Sequence, residues 1–302
     1  MSSFYKNSRA GINDFFFHPV APDNLGVSRF LYYGTIFFLY VGEDFSQWGK
    51  VPEVIWHPVF LFDFFSIPVL SPEVLGILGK IWIISILFSS LGFLTRLNTV
   101  LAFLIGCYLL GVVNSFAKTH HTETLMLLIF GIMSFSRCGD GFSVDRLYRN
   151  PNKGNRQNIE YCWPISLVRV MFTFMFCAAG FSKLRNSGFE WISSDFLSSL
   201  FINHGFASGG SNPYIEWIPF WVGSHKGLSH VIAGFAFFLE ILTPLALFNK
   251  YLRAVIVPSL FLMLLGFWIV LGIPFPQVMA SFVFWIPWDR LTKPTRDNLM
   301  AD

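Results

Sequence analysis

The 302-residue chain is 54% hydrophobic and 19% aromatic, and its charged share of 13% is far below the roughly 25% of an ordinary soluble domain. Its formal net charge of +3 is dispersed along the length, so there is no basic tract of the kind that binds nucleic acid, and no nucleic-acid partner is expected. No hydrophilic stretch is long enough for a sizeable soluble domain, and the composition predicts one all-α membrane domain over residues 1–302, a polytopic helical bundle in contact with membrane lipid.

The opening stretch, Met1 to Leu25, lacks the compact apolar core and small-residue cleavage site of a signal peptide and is expected to be retained. A hydrocarbon core of roughly 30 Å needs about 20 apolar helical residues. The chain offers eight candidate passes: Val27 to Val41, Val74 to Leu94, Leu97 to Phe116, His121 to Phe135, Trp163 to Phe181, Leu228 to Phe248, Ala254 to Ile273 and Phe275 to Trp288. The first, fourth and last are short. Two long connections, Gly42 to Glu73 and Lys183 to Gly227, contain the aromatic stretches Val59 to Leu70 and Asp195 to Phe206. These read as interfacial or re-entrant segments roofing one end of the bundle.

Basic residues assign the sides, because cytoplasmic loops collect Lys and Arg. The linker from Arg146 to Arg156 and the residues Lys250, Arg253, Arg290, Lys293 and Arg296 fall on one side. Lys50, Lys118, Lys183, Arg185 and Lys226 fall on the other, sparser side. Both termini are therefore expected in the cytoplasm. On that assignment His57, His120, His121, His204, His225 and His230 lie outside or at the outer edge, and His18 alone lies inside. Cys107, Cys138, Cys162 and Cys177 show no paired metal-type spacing, and neither a disulfide framework nor a metal site is expected.

Two places gather polar groups. Phe116 to Glu123 packs Lys118, His120, His121 and Glu123 into a hinge between apolar runs. Adjacent helical residues diverge by about 100°, so at most one of the two histidines is expected to be central. The fifth run ends in Cys177-Ala178-Ala179-Gly180-Phe181-Ser182-Lys183-Leu184, whose small residues allow close approach of a neighbouring helix. Lys183 reads either as a desolvated amine usable as a base or as a snorkelling anchor at the helix end. Arg169 and Glu240 lie deeper, at depths that differ by roughly 3 Å. They are expected to pair, with a proton relay or a headgroup contact as the alternative for Glu240.

These pieces resemble the membrane domain of vitamin K-dependent gamma-carboxylase and its bacterial relatives, the HTTM (horizontally transferred transmembrane) proteins. The resemblance is carried by His121-Thr122-Glu123-Thr124-Leu125-Met126-Leu127-Leu128, by Gly141-Phe142-Ser143-Val144-Asp145, and by Ala179-Gly180-Phe181-Ser182-Lys183-Leu184 followed by Gly188 and Trp191. In the carboxylase, the lysine of the AG-x-x-K-L motif deprotonates reduced vitamin K, and a histidine assists carbon dioxide addition. The resemblance implies that Lys183 is the base and His121, rather than His120, its catalytic partner. It further implies that His120, Trp191 and Glu240 contact a reduced, vitamin K-like quinone at an outward-facing pocket in a bacterial inner membrane or its equivalent. A secreted or membrane peptide is the partner implied for a carboxylase or lyase activity. The tail after Trp288 is too short for the large lumenal region that recognises the carboxylase's protein substrate, which leaves a quinone as the ligand a Phe-rich groove suits. The other expectation is a non-enzymatic quinone- or lipid-binding subunit, or an accessory factor for secreted-peptide maturation.

Overall fold

The computed structural model describes residues 13, 15–116, 121–149, 157–207 and 217–292, and of Glu53, His121, Thr122, Arg149, Ala207, Arg290 and Thr292 the backbone alone. Among these residues every regular element is helical, and strand-like pairing is confined to one bridge between Val20 and Asn158. Pro72–Leu91, Thr95–Phe116, Ile159–Ser187 and Lys250–Leu271 are long and apolar enough to cross a membrane. They match four of the eight expected passes and make this an integral membrane protein in contact with lipid.

The remaining apolar runs take shorter or broken forms. The first lies in a helix that starts earlier, α1 (Pro22–Tyr40), with proline at its first turn, where a missing N–H is harmless. The fourth is the 15-residue α5 (His121–Phe135), which follows α2 (Phe60–Phe64), α3 (Pro72–Leu91) and α4 (Thr95–Phe116). The run from Leu228 to Phe248 is two helices, α11 (Lys226–Leu242) and α12 (Leu245–Phe248), because Pro244 cannot continue α11. The last run is likewise not one helix. It breaks into α14 (Pro276–Ala280) and a 3-10 turn, Ser281–Trp285, before Pro287 and α15 (Trp288–Thr292). Between these lie α6 (Val144–Arg149), α7 (Cys162–Ser187), α8 (Glu190–Ser193), α9 (Phe196–Ala207), α10 (Trp217–Ser224) and α13 (Lys250–Leu271).

The chain forms two compact units, Met1–Val168 with Val283–Asp302, and Arg169–Phe282. In the first, α3 and α4 form a tight hairpin. Gly92 ends α3 in the left-handed conformation at φ 72°, which only glycine adopts without strain. The Asp145 carboxylate then caps α4, accepting from Leu94 N at 2.9 Å, Thr95 N at 2.7 Å and Thr95 Oγ1 at 2.8 Å. A fully buried arginine on α1 is laid across the same corner: Arg29 Nη1 donates to Ser89 O at 2.7 Å and Nη2 to Phe142 O at 2.6 Å. Its charge meets the Ser89 carbonyl in the last turn of α3, where the helix dipole favours a cation. Glycine on both sides allows this closeness, since a Cβ at Gly26 would overlap the Gly141 carbonyl and one at Gly141 would overlap the Pro22 carbonyl. The motif Gly141-Phe142-Ser143-Val144-Asp145 is thus an architectural joint among α1, α3 and α4.

The second unit has its own core. Leu197 and Phe201 of α9, Val222 of α10, Ala233 of α11 and Leu271 of α13 are buried together, flanked by Leu200, Ile232 and Phe267. The aromatic stretch Asp195 to Phe206 therefore supplies core as α9. Gly223 makes room for Ile202, whose Cγ1 would lie 2.6 Å from a Cβ there, so α9 and α10 pack closely. Asn249 caps α13 by accepting from Tyr251 N and Leu252 N.

Candidate functional site

In the second unit, α7 and α11 meet at a point dictated by one missing side chain. Residues 177, 180 and 183 share a helical face at three-residue spacing. Cys177 Sγ donates to Ile241 O at 3.8 Å. A Cβ on Gly180 would lie 2.7 Å from Ile241 Cγ1 and 3.2 Å from Glu240 Cβ. The close approach foreseen for Ala178-Ala179-Gly180 falls to Gly180 alone, since Ala178 and Ala179 are exposed.

One turn beyond Gly180, Lys183 reaches over the carboxylate. Its Nζ lies 2.6 Å from Glu240 Oε1 and 2.6 Å from Oε2. Glu240 is nearly sealed, with 6% of its side chain exposed, against 22% for Lys183. A carboxylate this deep requires a partner, and lysine supplies both the opposite charge and the hydrogen bonds. The same Nζ stands 5.0 Å from the centroid of the Trp191 ring, a cation–π contact. Trp191 leans on Phe196 at 5.0 Å, and Phe189 packs against Phe237 at 6.1 Å. A neutral ion pair thus lies beside an aromatic pair, Trp191 and Phe196.

Lys183, Trp191 and Glu240, expected from the sequence as site residues, are brought together. The expected pairing of Glu240 with Arg169 is corrected, because the carboxylate is taken by Lys183. The physical reason is the helix boundary: Glu240 stands in the last turn of α11, not midway along a pass extending to Phe248. Lys183 and Glu240, expected at different depths, lie at one level. Pro244 is the sequence signal that places this boundary.

His121 opens α5 in the first unit, and its side chain lies outside the described residues, as do all of His120 and Lys118. Glu123, the carboxylate of that hinge, has a more definite place. Its Oε2 accepts from Asn114 Nδ2 at 2.8 Å and its Oε1 from Tyr40 OH at 3.4 Å, tying the start of α5 to the ends of α4 and α1. Sequence reasoning did not single out Asn114 or Tyr40, which sit in apolar runs with no spacing that marks them.

The arrangement predicts that Gly180→Leu drives α7 and α11 apart and separates Lys183 from Glu240, while Gly266→Ala, with nothing within 4 Å of the added Cβ, leaves the pair intact. Crosslinking of a cysteine pair at positions 184 and 241 should fall sharply in the first variant and hold in the second. Equal crosslinking in both would show that Gly180 does not set the approach.

A family model described as the HTTM domain matches residues 17–288. No curated protein and no solved structure matches the chain.

Proposed function

The chain belongs to the HTTM family, and on that premise we propose that Lys183 and Glu240 form a membrane-embedded acid–base dyad that holds a reduced quinone against Trp191 and accepts a proton from it. The observation that carries this reading is the double 2.6 Å contact of Lys183 Nζ with a carboxylate that is only 6% exposed. A medium of low dielectric narrows the energy gap between the charged and neutral forms of such a pair. When the proton moves from Nζ to Glu240, Lys183 becomes a neutral amine with a free lone pair. That amine can take a proton from a hydroxyl laid on the Trp191 face, leaving the dyad with two protons and one positive charge. Deprotonation is the activation a bound quinol needs before it gives electrons to an oxidant.

The residues present suit such a ligand. A flat apolar ring matches the Trp191 and Phe196 surface, and one polar contact at Nζ would orient its hydroxyl. The distribution of basic residues supports cytoplasmic termini and a pair opening outward. A second reading is favoured by the same contact: a lysine engaging both oxygens of its partner is also a staple between α7 and α11. The protein would then bind quinone or lipid without turnover, as an accessory subunit in maturation of a secreted peptide.

Mass spectrometry of the extract from purified protein tests ligand identity. A hydroquinone or quinone should co-purify in stoichiometric amount and be lost from Trp191→Ala at unchanged folding. Phospholipid alone in both proteins would remove the quinone from the proposal.

A further inference from the structure

The stretch between the 3-10 turn Glu53–Ile55 and α3 is anchored along the side of α4. His57 N donates to Ser115 O at 2.9 Å and Val59 N to Ser115 Oγ at 3.1 Å, near the end of that helix. Further on, Leu70 N donates to Tyr108 OH at 3.1 Å, and Tyr108 OH donates to Pro68 O at 2.9 Å. Ser115 and Tyr108 are seven residues apart, about 10 Å along a helix axis. The segment thus descends beside a membrane-length helix, inside its span rather than beyond its end.

One residue keys it in place. Phe62 is buried with its ring where a Cβ on Gly111 would stand, stacked on Tyr108 at 5.8 Å. Its neighbours face away: Phe60 is 78% exposed, Phe64 70% and Phe65 65%, with Leu61 at 58%. Most of the segment's N–H groups are satisfied within it or against α4. Phe62 N and Asp63 N donate to Val59 O, Phe65 N to Leu61 O, Ser66 N to Asp63 O and Ile67 N to Phe62 O. Pro58 and Pro68 have no N–H to satisfy. Water would supply partners for such donors, whereas irregular backbone at hydrocarbon depth must find them in protein.

We infer that residues 57–70 form a re-entrant strap in the leaflet at the Ser115 end of α4, with Phe60, Leu61, Phe64 and Phe65 among lipid acyl chains and Asp63 at the headgroups. The occupant of this apolar face is lipid, because the face continues the lipid-exposed flank of α4, where Leu104 is 58% exposed.

A fluorophore on Phe64→Cys in lipid nanodiscs tests this, with the unsubstituted chain taken through the same labelling as a blank. Quenching by brominated lipid should approach that of a probe on Leu104→Cys, and iodide should quench far less than at Glu43→Cys. Iodide quenching equal to that at Glu43→Cys would overturn the strap. Lipid quenching that fades as protein density rises would replace lipid by a second copy of the chain and equally overturn it. Adding Gly111→Leu should expel Phe62 and shift the probe towards iodide. An unmoved probe would remove Phe62 as the key.

Discussion

If the dyad is the proposed base, Lys183→Met is expected to abolish hydroquinone consumption by the reconstituted protein, and in either case to lower its stability by about 3 kcal/mol, because it leaves a carboxylate buried without its partner. Glu240 then stays in the fold only by taking up a proton, so the loss of stability is larger at high pH than at low pH. The sign follows from linkage: the variant's folded state binds a proton that its unfolded state releases, and folding is favoured as pH falls. Pairing Lys183→Met with Glu240→Leu removes both charges and restores most of the stability, since an apolar pair of similar volume replaces an ion pair at little net cost. On the dyad reading, turnover is not expected to return. Thermal unfolding in detergent and hydroquinone oxidation, measured on the single and double variants, separate the two readings of the site. A double variant that folds and still turns over hydroquinone would rule out the dyad as the base. One that folds and keeps bound quinone, from a parent with no turnover, would make the pair a staple.

Gly26→Ala, in the first unit, costs at least as much, though it touches no chemistry. The added Cβ would overlap the Gly141 carbonyl, and backbone cannot rotate out of the way as a side chain can. The corner carrying Arg29, Phe142 and the Asp145 cap must shift with it. An overpacking penalty of about 3 kcal/mol is expected, with α4 losing its cap as the first visible sign. Gly266→Ala is the matched contrast: a helical glycine with open space around it, where alanine should raise stability by about 0.5–1 kcal/mol. Thermal unfolding midpoints in one detergent decide the matter, and two equal midpoints would show that the Gly26–Gly141 contact carries no strain.

The long apolar helices were legible because hydropathy over about 20 residues reports directly on hydrocarbon. Helix ends were less so. Reading Leu228 to Phe248 as one pass ignored Pro244 and placed Glu240 midway along it, which is how Arg169 came to be its expected partner. Lys183 and Glu240 could each be singled out as costly charges, but their pairing depends on Gly180, whose effect is visible only with the opposing backbone in place. Gly141 to Asp145 carried family resemblance without disclosing its task. A capping carboxylate and a glycine packed on a carbonyl look in sequence like any polar turn. The Tyr40–Glu123–Asn114 contacts join residues from three helices, and no local spacing encodes such a meeting.

The Lys183–Glu240 contact also bears on biogenesis. A carboxylate in an apolar helix opposes membrane insertion, by about 3 kcal/mol at a helix centre and by less in the last turn, where Glu240 stands, and α11, at 17 residues, is short for a span. During synthesis α7 emerges first and carries Lys183 into place before Glu240 has been translated. Retention of α11 is therefore conditional on an earlier helix, and the order of the two in the chain lets the later charge enter a site where its counter-ion is already waiting.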